Sequence, residues 1–258
     1  MKSTLEIINK RMSLRRYKDE EIKKEELDKI IESAMRAPTA GNMMHYSIIV
    51  VKDKEKKSIL SETCDNQSFI ADAPIVLVFL ADFQRLYDYF EACDLKEYCK
   101  SKNVNYKKPN MASLFLASGD AFIAAQNAVI AAESMDIGSC YIGDIVENYE
   151  IKKELFNLTD YTIPIAMLTL GYYPENLKRK KSNRFDKKYI VFDEVYSRLE
   201  NNELKDMHQQ REDKFIKNNK YDADNFGQYI YARKFNSEFF SEMERSLQHM
   251  VIDWLEKD

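Results

Sequence analysis

Glycine is scarce in this chain, six residues in 258. Neither G-x-G-x-x-G nor G-x-x-x-x-G-K-[ST] occurs, so a glycine-rich phosphate cradle is not expected. There are three histidines. His45, the one in a turn, has no acidic, Cys or His neighbour at ligand spacing, so it reads as packed or solvent-facing and no metal site is expected. Cys64, Cys93, Cys99 and Cys140 make no C-x-x-C pair and no zinc spacing, and read as reduced thiols of a cytoplasmic protein. The first ten residues lack the long apolar core of a signal peptide. No Ser-His-Asp set or carboxylate pair stands out. Positive charge is not in excess: Lys and Arg total 39 against 43 Asp and Glu, a net charge of −4. Nucleic acid and anionic membrane are therefore not expected as partners. What is present is an ordinary soluble balance, 45% hydrophobic and 32% charged, long enough for one large or two small domains.

The chain is organised around Ser113–Ile145. Its first part, to about Met135, is rich in Ala, Ile, Leu and Phe without proline, and predicts a helix apolar on nearly every side and so buried. Asp120, Asn127 and Ser134 are seven apart, as are Gln126 and Glu133, and make one narrow polar stripe. These interruptions come too often for a membrane span, which needs roughly 18 or more apolar residues with almost no charge. Gly138 fits the helix end, 139–142 reads as a short strand, and Gly143 stands where that strand stops. A strand ending in a glycine turn suits the close approach of a flat ligand.

Before this stretch, the pattern predicts helices over 4–10 and 24–37, a turn at 39–42, and a β-branched strand over 47–52. Asp53 caps the following helix. The unbroken apolar run 74–81 predicts a strand buried on both faces. Residues 82–98 read as helical and 100–110 as a polar loop. After it come a helix over 150–157, a buried strand over 163–171, a basic loop over 178–188 and a short edge strand over 189–192. Beyond about Val195 the sequence is polar, Tyr-rich and helical in pattern, with little core of its own. The order predicts layered α and β elements.

Three weak signals carry chemistry. Arg11, Ser13 and Arg15 alternate, so in an extended segment they point one way. Two guanidinium forks and a hydroxyl suit a phosphate or a carbonyl-rich ring; the plainer reading is a solvated basic helix end. The turn around Asn42, and the run Asn66-Gln67-Ser68 before the core strand, offer amides. The basic run 178–184 is either a solvated loop or a lid over an anionic cofactor. It follows a strand whose end, Gly171, is expected to face the same cleft as Gly143.

In order, Arg11-Met12-Ser13-Leu14-Arg15-Arg16-Tyr17, Ile30-Ile31 through Ala34, Ala37-Pro38-Thr39-Ala40 and Asn42, Ala73 to Val78, Ala125-Gln126-Asn127 through Glu133, Ile137-Gly138, and Tyr141-Ile142-Gly143 resemble the motifs of the flavin-dependent nitroreductase family. The branch they resemble is that of the oxygen-insensitive nitroreductases and NADPH:flavin oxidoreductases, over about residues 4–190. The resemblance implies an α+β fold, a three-layer α-β-α sandwich. Its central sheet would be mixed but mostly antiparallel, with a helical extension over about 195–258 packing on the body or a partner, all one FMN-binding domain.

The resemblance also implies a homodimer with FMN at two interface sites and NADPH or NADH as electron donor. By that comparison Arg11 and Ser13, next to Met12, hold the phosphate end. Arg15 and Gln67 sit by the pyrimidine end, and the backbone at Tyr141, Ile142, Gly143 and Asp144 faces the ring. Asn42 and Met44 lie beside it, and Lys181 and Arg184 return to the phosphate. The chain departs from the pattern at four places: Met12 stands where Arg is common, Met44 where Gln is frequent, Asp144 for a second glycine, and the basic loop reads Lys181-Ser182-Asn183-Arg184. No protein acid or base is implied, because flavin N5 is the reactive centre. The expected activity is reduction of nitroaromatics, quinones or free flavin by a ping-pong cycle. A flavoprotein with a specialised acceptor, such as a dehalogenase or dehydrogenase, and a non-catalytic flavin-binding dimer remain alternatives.

Overall fold

The computed structural model describes residues 3–179 and 182–256. Strands β1 (Tyr46–Val51), β2 (Ile75–Asp82), β3 (Ile137–Ile142) and β4 (Thr162–Tyr172) form one sheet in the order β1-β2-β4-β3. Every ladder is antiparallel, with Ile48 opposite Phe79, Val78 opposite Met167 and Cys140 opposite Thr169. Among the described residues a single parallel bridge, Ser13 to Ser139, adds the segment after the first helix to the free edge of β3. That bridge is what makes the pairing mixed.

The apolar run of β2 is buried along its whole length, and the pleat sends its side chains two ways. Val76, Val78 and Leu80 pack with Leu60, Ile70, Tyr149 and Trp254. Ile75, Leu77 and Phe79 pack with Ile30, Ala34, Ala124 and Ala128. Two cores on the two faces of one sheet give the three layers.

One helical layer is α2 (Lys24–Met35) and α7 (Met111–Ser134). The other includes α3 (Lys54–Thr63), α4 (Phe69–Asp72), α8 (Tyr149–Leu155) and the end of α11 (Glu238–Leu255). The N-caps follow the sequence. Ser3 and Glu6 close a reciprocal capping box on α1 (Thr4–Lys10), and Asp53 accepts the Lys56 N–H at the start of α3. The expected helix over 82–98 is two, α5 (Gln84–Ala92) and α6 (Leu95–Ser101), broken where Asp94 takes φ 52°.

Three further expectations about these elements fail. First, α7 is not buried all round: Ala117, Ala121, Ala124 and Ala128 face the sheet, while Phe115 and Phe122 on the far side are 78% and 49% exposed. By length and composition alone α7 would suffice to cross a membrane. Its two acids, Asp120 and Glu133, are buried and bonded to neighbouring elements. Second, α7 ends at Ser134, and the left-handed position after it is Asp136 at φ 59°; Asp tolerates that conformation. Gly138 lies inside β3 instead. Third, 189–192 is not a strand. Asp186 caps a 3₁₀ turn, Lys187–Tyr189, by accepting the Lys188 N–H, and the Tyr189 hydroxyl bonds Asp206.

The chain divides into two compact units, Met1–Lys180 with Glu242–Asp258, and Lys181–Ser241. The poverty of core expected beyond Val195 does not extend to the last helix. Met250 and Trp254 are buried among Leu114, Tyr161 and Ile163 in the first unit. The second unit contains α9 (Asn201–Glu212), α10 (Phe226–Ile230) and a π-helical turn, Tyr231–Phe235.

Candidate functional site

The segment after α1 runs alongside β3. The Leu14 N–H donates to the Ser139 carbonyl at 2.9 Å, and the Lys18 N–H to that of Tyr172 at 3.0 Å. This close approach explains two glycines. A Cβ on Gly138 would lie 2.5 Å from Leu14 Cδ2, and one on Gly171 would lie 2.5 Å from Tyr17 Cδ1. Gly171 therefore does not face the cleft; the Tyr17 ring and Pro74 cover it. Tyr17 is locked by donating to Thr169 Oγ1 at 2.7 Å, and burial drives its phenol well above its usual range.

Arg11, Ser13 and Arg15 all lie in the segment that pairs with β3. All three act on one atom, the Cys140 sulfur. Burial pushes that thiol up, and Arg15, Ser13 and Arg11 pull it back. Met12 lies in the same run, half-buried. The Arg15 guanidinium sits 5.7 Å from the centre of the Phe69 ring. Arg11 also acts on Tyr141, whose phenol burial raises to about 12.

β3 stops at Ile142, and a 3₁₀ turn, Gly143–Val146, begins. Nothing lies within 4 Å of where a Gly143 Cβ would be, so this turn presents open backbone. Gln67 reaches it from the loop between α3 and α4. Its Nε2 donates to Asp144 Oδ2 at 2.8 Å and to the Cys64 carbonyl at 2.9 Å. The Cys64 carbonyl can only accept, so the amide orientation follows from the network, and Gln67 keeps only its Oε1 free to accept.

Asn42 and Met44 belong to a second structure, the turn 39–45. Gly41, Asn42 and Met44 take φ values of 58°, 58° and 54° there. The turn is pinned by Asp120, 3% exposed, which accepts the Ala40 N–H at 2.9 Å and the His45 N–H at 3.1 Å. His45 is packed rather than solvent-facing: it stacks on Phe83 at 4.9 Å, with Nδ1 3.3 Å from Asp120. The Arg85 guanidinium binds the Met44 and Tyr46 carbonyls.

The basic run splits. Arg179 stacks on Tyr173 at 3.7 Å and bonds Glu133 at 2.5 Å, so its charge neutralises a buried carboxylate. Lys181 lies outside the described residues. Arg184 belongs to the second unit, where it lines a cavity with Phe185, Arg211 and Tyr229.

Sequence reasoning passed over Cys140, Glu147 and Lys152. Asp120 was visible as a polar member of an apolar helix. Lys152, within Lys152-Lys153, gives no sign that it is fully buried.

Cationic forks, a hydroxyl, an open glycine turn and an amide oxygen can together hold a flat, anionic, hydrogen-bonding ring. Comparison with known proteins identifies the family of the chain. The model of the Nitroreductase family matches residues 8–172. The FMN reductase (NADPH) of Bacillus subtilis is 34% identical over 197 residues, 76% of this chain and 76% of that protein. The FMN reductase [NAD(P)H] of the same organism is 33% identical over 196 residues, 76% and 75% of the two chains. The solved structure of B. megaterium NfrA2 superposes with a TM-score of 0.75 at 30% identity, over 97% of this chain and 98% of that one.

Proposed function

The chain belongs to the nitroreductase family, and from that premise we infer an FMN-dependent NAD(P)H oxidoreductase that serves donor and acceptor in turn at one pocket. The observation that carries this is the pairing of the Arg11–Tyr17 segment with β3. It aligns two guanidinium groups and a hydroxyl beside a strand that ends in open backbone at Gly143.

The residues fit FMN by their chemistry. Arg11 and Ser13 supply charge-assisted bonds for a phosphate. Gln67 offers an acceptor, which matches the ring N–H of a flavin pyrimidine. Gly143 leaves room for a ring to lie on the backbone. Met12, Tyr141, Ile142 and Asp144 frame the same edge, and Asn42 and Met44 would complete the pocket from the turn pinned by Asp120. The assignment of Arg184 and Lys181 to the phosphate rests on the family resemblance alone.

When bound, FMN supplies the two-electron chemistry. The chain's part is electrostatic. The fixed positive charge of Arg15 favours electron density added at the pyrimidine end, and no side chain need move a proton for that. NADPH or NADH would enter over Gly143, leave, and be followed by a nitroaromatic, a quinone or free flavin. We further propose a homodimer, supported by the apolar surface of α1 and α7, where Leu5, Ile8, Phe115 and Phe122 are 72%, 52%, 78% and 49% exposed. Four free thiols suit a cytoplasmic protein.

The test is the visible spectrum of the purified protein, release of its chromophore on denaturation, and initial rates with NADPH and NADH at several acceptor concentrations. A yellow protein giving parallel double-reciprocal lines is expected. A colourless protein that does not take up FMN would refute the reading.

A further inference from the structure

Beneath the Gly143 turn lies a buried polar cluster that the flavin reading does not use. Glu147 closes the turn at 3% exposure, and its Oε1 has no hydrogen-bond partner. The cation beside it, Lys152, is fully buried. Its ammonium donates to three backbone carbonyls, those of Thr63 at 2.8 Å, Asp144 at 3.4 Å and Glu147. Three protons on three carbonyls satisfy an ammonium and leave none for a carboxylate. Besides Lys152, which pulls the Glu147 carboxyl down, its neighbours are acidic or weakly polar: Asp144 on its own turn, Asp65 on the α3–α4 loop, and the Cys64 thiol at the end of α3. From α11, Glu242 accepts the Asn148 N–H.

Lys152 attracts Glu147 but gives its protons to carbonyls, and two buried carboxylates beside one such cation cannot both ionise cheaply. One proton between them replaces repulsion with a hydrogen bond, and it partners the orphan oxygen. We propose that Asp144 and Glu147 share one proton at neutral pH, that this proton holds Asp144 as the acceptor orienting Gln67, and that its loss gives flavin retention an alkaline limit. The last clause rests on the reading that Gln67 faces the flavin ring.

Burial, then the bond and charge of Asp144, push the Glu147 carboxyl up to about 8. The folded state therefore holds this proton more tightly than the unfolded chain, with its ordinary value near 4.5. The stabilisation is fully present below that value and is lost as pH rises to about 8. Above it, two charges face each other behind Gln67, and the amide loses its fixed orientation. Asp144 and Glu147 are thus positioning residues that act through Gln67.

Holoenzyme is diluted at pH values from 6.5 to 9.5, and FMN release is followed by fluorescence for wild type and Glu147→Gln. Wild type should bind FMN about tenfold more weakly at the alkaline end, the worth of one hydrogen bond to a charged group. Glu147→Gln, whose amide donates to Asp144 at every pH, should stay within about twofold by the same reasoning. A flat wild-type profile, or a variant that follows the wild-type curve, overturns the proposal.

A second measurement, independent of flavin, titrates the side-chain carboxyl carbons of ¹³C-glutamate-labelled protein. One resonance should move near pH 8 and shift down in Asp144→Asn. If every glutamate titrates below about pH 6, as unperturbed carboxyls do, the shared proton does not exist. A colourless protein sinks the flavin reading alone, and the carbon titration then decides the carboxyl pair. It decides it equally if Glu147→Gln does not fold.

Discussion

The body and the Lys181–Ser241 unit are built from similar residue types with opposite results. In the body, aliphatic and aromatic side chains recur at period 2 along β2 and β4 and fill both faces of the sheet. In the second unit only Tyr189 and Ala223 are buried among the described residues, at 7% and 5% exposure. Its rings touch one another and the cations around them. Arg211 lies 4.2 Å from the Phe185 ring, and Phe215 and Tyr221 lie 6.0 and 5.7 Å from Tyr229. They leave a cavity of about 680 Å³ lined by Arg184, Phe185, Arg211, Phe226 and Tyr229. Aromatic content alone does not make a core; periodicity that aims the rings at one surface does. A unit with so little buried area sits at the low end of local stability.

Breaking the body should cost most. Trp254 is fully buried, stands edge-on to Tyr161 at 5.6 Å, and donates its indole N–H to the Asn110 carbonyl at 3.1 Å. Trp254→Ala should lower stability by about 3–5 kcal/mol, read as the shift in denaturation midpoint at constant slope. A change below about 1 kcal/mol would mean that the last helix is peripheral and that the contrast has been drawn in the wrong place.

Two arginines, one in each unit, sharpen the comparison. Arg15→Ala should lower turnover per bound flavin by about 3 kcal/mol in the barrier while FMN retention changes less, measured at saturating FMN. Unchanged turnover would remove Arg15 from the ring. Arg184→Ala should weaken FMN by about 1.5–3 kcal/mol, near tenfold or more, and leave riboflavin, which lacks the phosphate, within about twofold. Equal losses for both ligands would mean general damage and not a lost phosphate contact.

The smallest effect belongs to the second unit. Phe215→Ala should cost less than about 1 kcal/mol, because its ring is only partly covered, and amide exchange over 201–235 should be faster than in β2. Protection there equal to that of β2 would show that the unit is held by more than its own contacts, as packing on a partner would hold it.

Much of the body was legible beforehand because its signals are local. The β2 run, the Asp53 cap and the alternation of Arg11, Ser13 and Arg15 each depend on a few adjacent residues. Element ends moved by one or two positions, for example 47–52 to Tyr46–Val51. The glycines misled. Gly138 and Gly171 resemble a helix stop and a cleft wall, yet each is glycine because Leu14 or Tyr17 crosses it.

The sequence by itself determined most of the helices and strands of the body, which faces of β2 are apolar, and that two arginines and a serine alternate in one short segment. These follow from backbone periodicity and side-chain chemistry over a few residues. Only the tertiary structure decided that Lys152 caps three carbonyls, that Asp120 pins the 39–45 turn 75 or more residues away, that Gln67 meets Asp144 across 77 residues, and that one face of α7 stays uncovered. Each depends on which distant groups the fold brings together in a place without water. There a charge must find a partner or give up its proton, and no local pattern encodes which partner that will be.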